Sequence, residues 1–333
     1  MSRSDKKGSE RGGDSMDYLN LGKSGVKVSR IAMGGLTLGR EADEAESQRM
    51  VDMAYDHGIN FFDVANSYSK GRSEEVLGKC LGKKRNSVVL ATKVFNPMGD
   101  GPNDRGGSRY HIVRAVEESL RRLKTDRIDL YQLHRYDREV PLEETLRALD
   151  DLVRWGKVVY IGCSNYSAVQ LMEALGIIKQ RGLHPFVSVQ PMYNILKTEI
   201  ETDLLPLCLK EGIGVIPFNP LAGGFLTGKY SPGARPPAGT RLGDTESYRH
   251  RYLSDENFER VSRFLAASQK RKVHPIALSI AWVLSYPAVT SAIVGARNEG
   301  QLTETLGLMD LRISVEEREQ LKSEVYATEG EIK

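Results

Sequence analysis

Cysteine is scarce in this 333-residue chain, which has only Cys80, Cys163 and Cys208. They are odd in number, widely spaced and never arranged as C-x-x-C. This argues against a disulfide framework and against a zinc site, so no metal ligands are expected. No apolar run approaches the roughly 18 residues of a membrane span. An excess of one charge is missing too. Lys+Arg 47 against Asp+Glu 44 leaves +3, and nothing in that balance asks for nucleic acid or an anionic membrane. The first 15 residues, MSRSDKKGSERGGDS, lack the apolar stretch of a secretory leader. They are polar and Gly/Ser-rich and read as a disordered extension. Apolar patterning begins at Met16-Asp17-Tyr18-Leu19, and Met16 is an alternative start. A reducing, cytoplasmic setting is expected. No G-x-G-x-x-G opens a helix; Met33-Gly34-Gly35 comes nearest. A dinucleotide site of the Rossmann type is therefore unsupported. Nothing in the sequence specifies an oligomeric state.

What is present is an alternation. Leu19-Asn20-Leu21 and Val26-Lys27-Val28 flank Gly22-Lys23-Ser24-Gly25 and predict a β-hairpin. Short apolar runs follow at Ile31–Met33, Ile59–Val64, Val88–Val94, Ile128–Leu133, Val158–Ile161, Val187–Gln190, Val215–Phe218 and Ala292–Val294. They are mostly unalternated, as buried parallel strands are. Helical spacing lies between them, as in Ile112, Val116, Leu120 and Leu123, or Leu142, Leu146, Leu149 and Leu152. Eight such strands over about 300 residues predict a (β/α)8 TIM barrel more than an open doubly wound sheet. One barrel domain over 16–333 is expected, with a last helix near Val315–Val325 packing across it. The stretch Asn219–Ser254 has little periodicity and many Gly, Pro, Arg and Tyr residues. A loop this long is either a functional lid or a tolerated insertion.

Three consecutive runs end in chemistry. Phe61-Phe62-Asp63 ends in a carboxylate, with Tyr68 five residues on. Val88 to Lys93 ends in a cation, and Asp129 to His134 in an imidazole. Taken singly, such an Asp caps a turn, such a Lys is solvated, and such a His is a satisfied surface or core residue. Their recurrence at the same rim is what points to catalysis. A tyrosine has an unperturbed pKa of about 10 and becomes a useful acid beside a cation. Leu36, Phe95, Asn96, Arg135, Tyr136 and Tyr166 also follow strands directly and are candidate pocket residues. Their mixed polar and aromatic character suits a small polar ligand better than a bulky apolar one. Arg135 is open to two roles, an anion contact or a structural ion pair.

Several ordered segments carry a resemblance: FFDVANSY, Gly71-x-Ser73-Glu74-Glu75-x-Leu77-Gly78, VLATKV, LYQLHRYD, GKVVYIGCSNYS, VQPMYN, IPFNPLAGGFLTGKY and IVGARNEGQLTETL. With them the chain resembles the aldo-keto reductases over about Tyr18 to Tyr326. The resemblance implies Tyr68 as proton donor, Lys93 as the cation that lowers its pKa, Asp63 as partner of Lys93, and His134 as the group that orients the carbonyl. Ser164, Asn165 and Gln190 resemble the nicotinamide carboxamide contacts. Read without the resemblance, the first two could equally cap a helix, and Gln190 could be a buried polar side chain. Phe218 stands where the family usually has Tyr or Trp under the nicotinamide ring; the aromatic face remains and the hydroxyl is lost. Asn219, Pro220, Leu221, Ala222 and Gly223 resemble the pyrophosphate strap, with Lys229 and Arg241 as phosphate contacts. Gly295, Arg297, Gln301 and Glu304 resemble the adenosine end. Arg297 suits a 2′-phosphate and favours NADPH. Gly295-Ala296 replaces a frequent Lys-Ser pair and Thr305 a frequent Asn, so NADH use stays open.

The resemblance thus implies an NAD(P)H-dependent reduction of an aldehyde or ketone. A cofactor-sensing regulatory subunit is the alternative, as in the β subunits of potassium channels. Those commonly carry Asn where this chain has His134, which favours turnover. A sugar-specific reductase of a deoxysugar pathway is a third reading.

Overall fold

Alternation along the strands decides what faces the middle of the sheet. The computed structural model describes residues 16–327; the predicted disordered extension, 1–15, lies outside them. A hairpin of β1 (Tyr18–Asn20) and β2 (Lys27–Ser29) precedes eight parallel strands. These are β3 (Ile31–Gly34), β4 (Phe61–Asp63), β5 (Val89–Val94), β6 (Ile128–Leu133), β7 (Val158–Ser164), β8 (Phe186–Gln190), β9 (Gly214–Val215) and β10 (Ala292–Val294). Their order is β10-β3-β4-β5-β6-β7-β8-β9. Closure comes where the two ends meet: Thr290 N–H donates to Val215 O at 2.8 Å and Ile293 N–H to Pro217 O at 2.9 Å. The predicted seventh strand, Val215–Phe218, is shorter than expected. Pro217 brings no N–H to a ladder, and pairing resumes only as single bridges at Phe218.

Helices α1 (Glu44–Asp56), α2 (Arg72–Leu81), α3 (Arg109–Leu123), α4 (Leu142–Arg154), α5 (Ala168–Arg181) and α6 (Leu204–Glu211) follow successive strands from β3 to β8. Side-chain caps start several of them. Ser167 and Gln170 form a reciprocal capping box on α5, and Asp43 accepts from Glu46 N–H at 2.8 Å on α1. The stretch after β9 is more ordered than its composition suggests. It holds a turn at Ala222–Thr227, α7 (Arg241–Asp244) and α8 (Glu246–Tyr252). Helices of two turns or fewer are too short to print a 3.6-residue period. Then come α9 (Asp255–Arg271), α10 (Pro275–Leu284), α11 (Glu299–Leu306) and α12 (Val315–Tyr326). Contrary to expectation, α12 lies along α9 on the flank. Its Arg318 is buried, paired with Glu201 and set over the Trp282 ring at 4.5 Å.

The floor of the barrel is closed by the hairpin instead. Leu21 and Val28 pack with Phe61, Val89, Ala91 and Leu130 in an interior cluster. Gly22 sits at φ +58°, where a Cβ would come within 2.7 Å of Gly214 N, so only glycine fits there. The larger core lies between strands and helices and takes the alternate residues Phe62, Leu90, Val94 and Tyr131. Two-residue periodicity then carries the inner row of β4, β5 and β6 on to Asp63, Lys93 and Gln132, at the rim opposite the hairpin.

Candidate active site

Those inner-row residues form a polar layer under the open rim. Lys93 is fully buried and its ammonium pairs with Asp63. It also donates to Val64 O at 2.8 Å and lies 3.4 Å from the Tyr68 hydroxyl. Asp63 Oδ2 accepts from Gln132 Nε2 at 3.1 Å and from Gln190 Nε2 at 2.9 Å. The carboxylate is thereby held on both oxygens. Burial pulls the Lys93 ammonium down, but Asp63 and Tyr68 more than offset this and its pKa is raised. Burial pushes the Tyr68 phenol up, and Lys93 opposes this without reversing it. Lys93 pulls the phenol's pKa down, and desolvation outweighs that pull, so the net direction is up.

Tyr68 opens a tight turn, Tyr68–Gly71, in which Ser69 and Lys70 have φ of 49° and 53°. The His134 ring meets it edge-on at 5.8 Å between centroids. Burial, then the charges of Lys93 and Arg135, push the His134 imidazole down to about 3. It is neutral at physiological pH and acts there as a hydrogen-bonding group. Apart from the helix caps Lys124 and Lys272, the non-glycine residues with positive φ lie on the loops of this rim, among them Phe95 (152°), Asn165 (57°), Asn219 (66°) and Ala222 (51°). Strain of this kind collects where side chains must be aimed.

A cavity of about 630 Å³ opens above the layer. Tyr68, His134 and Asp63 lie at its inner end beside Ser164, Asn165, Gln190 and Phe218. Lys229, Arg241, Arg297, Gln301 and Glu304 line its other end. Residues 30–325 match the model of the Aldo/keto reductase family. The chain belongs to that family. It is 40% identical over 302 residues to a probable voltage-gated potassium channel subunit beta of Arabidopsis thaliana, covering 89% of this chain and 92% of that one. It is 38% identical over 314 residues to the uncharacterized oxidoreductase YrpG of Bacillus subtilis, covering 90% and 93%. It is 33% identical over 333 residues to versiconal hemiacetal acetate reductase of Aspergillus parasiticus, covering 92% and 96%. Membership places the chain among oxidoreductases that act on small carbonyl compounds.

In this aldo/keto reductase the residues singled out from the sequence divide into those the cavity gathers and those it does not. Leu36, Asn219, Pro220, Leu221, Gly223 and Gly295 join those already named on its walls. Ala222, within the strap, is buried. Lys93 sits behind Tyr68. Phe95, Asn96, Arg135 and Tyr136 do not line the cavity. Arg135 is exposed, and Tyr136 turns outward to donate to Glu173 at 3.0 Å. Tyr166 is buried against Tyr136 and Phe186. These five positions follow strands, but none of their side chains lines the cavity.

Other residues had escaped notice. Gln132 completes the layer around Asp63, and the inward alternation shared with Lys93 was the signal for it. Thr37 donates to Ala296 O at 2.6 Å and lines the wall. Tyr252 is wholly buried and receives Asn219 Nδ2 at 2.7 Å and Asn194 Nδ2 at 3.1 Å. It pins the strap to α8. Tyr248 packs where a Cβ on Gly223 would lie 2.8 Å away.

The polar groups fit a dinucleotide. Arg297 Nη2 is buried without a hydrogen-bond partner, 3.8 Å from Glu41 and 3.5 Å from Asp244. Burial and the charge of Arg297 hold the Lys229 ammonium below its ordinary pKa. Cations desolvated together, one with an idle donor, suit phosphate. At the other end Gln190 spends its amide nitrogen on Asp63 and Gln132, which leaves Oε1 as an acceptor for a carboxamide N–H.

Proposed function

We propose that this cleft reduces an aldehyde or ketone to an alcohol, with NADPH as the preferred cofactor and Asp63, Tyr68, Lys93 and His134 as the working residues. The observation that carries this reading is a Tyr68 hydroxyl 3.4 Å from a buried, Asp63-paired Lys93 side chain at the inner end of the cavity. NADPH, when bound, supplies the hydride that a carbonyl carbon accepts. Ser164, Asn165 and Gln190 would hold its carboxamide, Phe218 would offer a ring face, and Lys229, Arg241 and Arg297 would meet its phosphates. Negative charge then builds on the carbonyl oxygen. Tyr68 gives its proton to that oxygen, and Lys93 stabilises the phenolate left behind. Asp63 fixes Lys93 and offsets its charge. Neutral His134 donates a second hydrogen bond to the same oxygen.

The test is NADPH oxidation at 340 nm with 4-nitrobenzaldehyde, wild type against Tyr68→Phe. The variant is expected to lose about 10²–10⁴-fold in kcat while binding NADPH as before. Normal turnover by the variant would sink the role of Tyr68. The names of two relatives favour a second reading, because the Arabidopsis thaliana protein and its Oryza sativa counterpart are both probable channel β subunits. A wild type that binds NADPH tightly yet turns over no carbonyl compound would favour a cofactor-sensing subunit.

A further inference from the structure

Asn96 has no place on the cavity wall, yet it touches the machinery. It follows Phe95, whose φ of 152° is a conformation that non-glycine residues rarely adopt. The strained residue delivers the Asn96 amide between two rim elements. Asn96 Nδ2 lies 3.2 Å from Ser67 Oγ, next to Tyr68 in the chain, and 3.2 Å from His134 Nδ1. One side chain on the loop after β5 thus ties the turn after β4 to the loop after β6.

The chemistry of that amide has a consequence for the imidazole. An amide nitrogen only donates. A ring nitrogen that receives its hydrogen bond must be unprotonated, and in a neutral imidazole the proton then sits on the other nitrogen. From this geometry we infer that Asn96 is a positioning residue that fixes His134 in the Nε2–H tautomer, keeping a donor available at the cavity. This rests on the reductase reading for its purpose but not for its geometry. Backbone contacts leave the His134 ring nitrogens free: His134 N–H goes to Val94 O at 2.9 Å and His134 O receives Asn165 Nδ2 at 2.9 Å. Asn96 is therefore the side chain that selects the tautomer among the described residues.

The test compares wild type, Asn96→Ala and Asn96→Asp by ¹⁵N spectroscopy of histidine-labelled full-length protein, with His134→Gln to assign the signal. Wild type is expected to show Nε2 protonated and Nδ1 bare. Asn96→Ala should lose the fixed tautomer and about tenfold in kcat, one hydrogen bond's worth, with NADPH affinity within about twofold. Asn96→Asp is nearly isosteric, but its carboxylate only accepts, so it should draw the proton to Nδ1. It should lose more than Asn96→Ala, on the order of a hundredfold. A residue that merely filled space would give the opposite ranking. An Nδ1–H signal in wild type overturns the proposal, and so does a spectrum that neither variant changes. The spectrum is recorded without substrate. An inactive wild type would therefore count against the reductase reading and still leave the tautomer to decide this one.

Discussion

At the scale of single residues, the site is a problem of desolvated charge. Lys93 is fully buried and answers to Asp63. Removing one partner leaves the other charged and unpaired in the interior, which costs about 3–5 kcal/mol. Lys93→Met should therefore lower stability as well as abolish turnover. Lys93→Met combined with Asp63→Asn should recover much of the stability and none of the activity. Urea denaturation and the 340 nm assay measure the two effects separately; an undiminished midpoint for Lys93→Met would show that the pair is not a strut. The pH dependence follows from the neighbours. The proposed reduction needs Tyr68 protonated and His134 neutral. The phenol is raised above its ordinary value and the imidazole is lowered to about 3. Neither changes state across roughly pH 5–9, so kcat for reduction should be flat there and fall only in stronger alkali. An acid limb centred near 6.5 would mean that His134 titrates like an exposed histidine.

Elements hold these residues in register, and α2 is the clearest case. Glu74 is fully buried on it, with Oε1 accepting from Thr92 at 2.6 Å and Oε2 from Arg122 at 2.7 Å. Thr92 precedes Lys93 on β5, and Arg122 packs so close to Gly71 that a Cβ there would lie 2.7 Å from its Cδ. One carboxylate therefore joins the strand of Lys93, the turn of Tyr68 and α3. Glu74→Gln should keep the Thr92 link but take from Arg122 its buried carboxylate, leaving only Glu118 at 3.7 Å as an acidic partner, with a loss of about 3 kcal/mol in thermal or urea unfolding; a loss below about 0.5 kcal/mol would class the pair with weak surface bridges. Much at this scale was legible in the sequence. Asp63, Lys93 and His134 each end an apolar run, and a run's end is a position that hydropathy marks. Gln132 was not noticed because it lies inside its run. The helices α7 and α8 escaped because neither is long enough to repeat the helical period over several turns, and the ladder break at Pro217 because it rests on one missing N–H. Phe95, Asn96, Arg135, Tyr136 and Tyr166 lie off the cavity wall for another reason. Position after a strand fixes the rim, but backbone dihedrals decide whether a side chain faces the cavity.

The whole molecule is a closed ring with one floor and one open rim. The stretch after β9 reaches across that rim, and Asp244 of α7 meets Arg297 ahead of α11. Arg297 thus stands between the long loop and the last barrel unit, with a donor to spare. Arg297→Ala should weaken NADPH binding by about tenfold or more, a charged hydrogen bond's worth, and NADH binding far less. Titration of cofactor fluorescence compares them, and equal losses would remove the argument for a 2′-phosphate contact. The hairpin at the opposite end has a consequence for traffic. With Leu21, Gly22 and Val28 stopping the tube, the described residues leave the site open toward the rim. If Tyr68 is the acid, as proposed, the proton it hands over is replaced from water reached through that rim, the way a carbonyl compound would enter. With the floor stopped by the hairpin, product exit and proton return would then share one route.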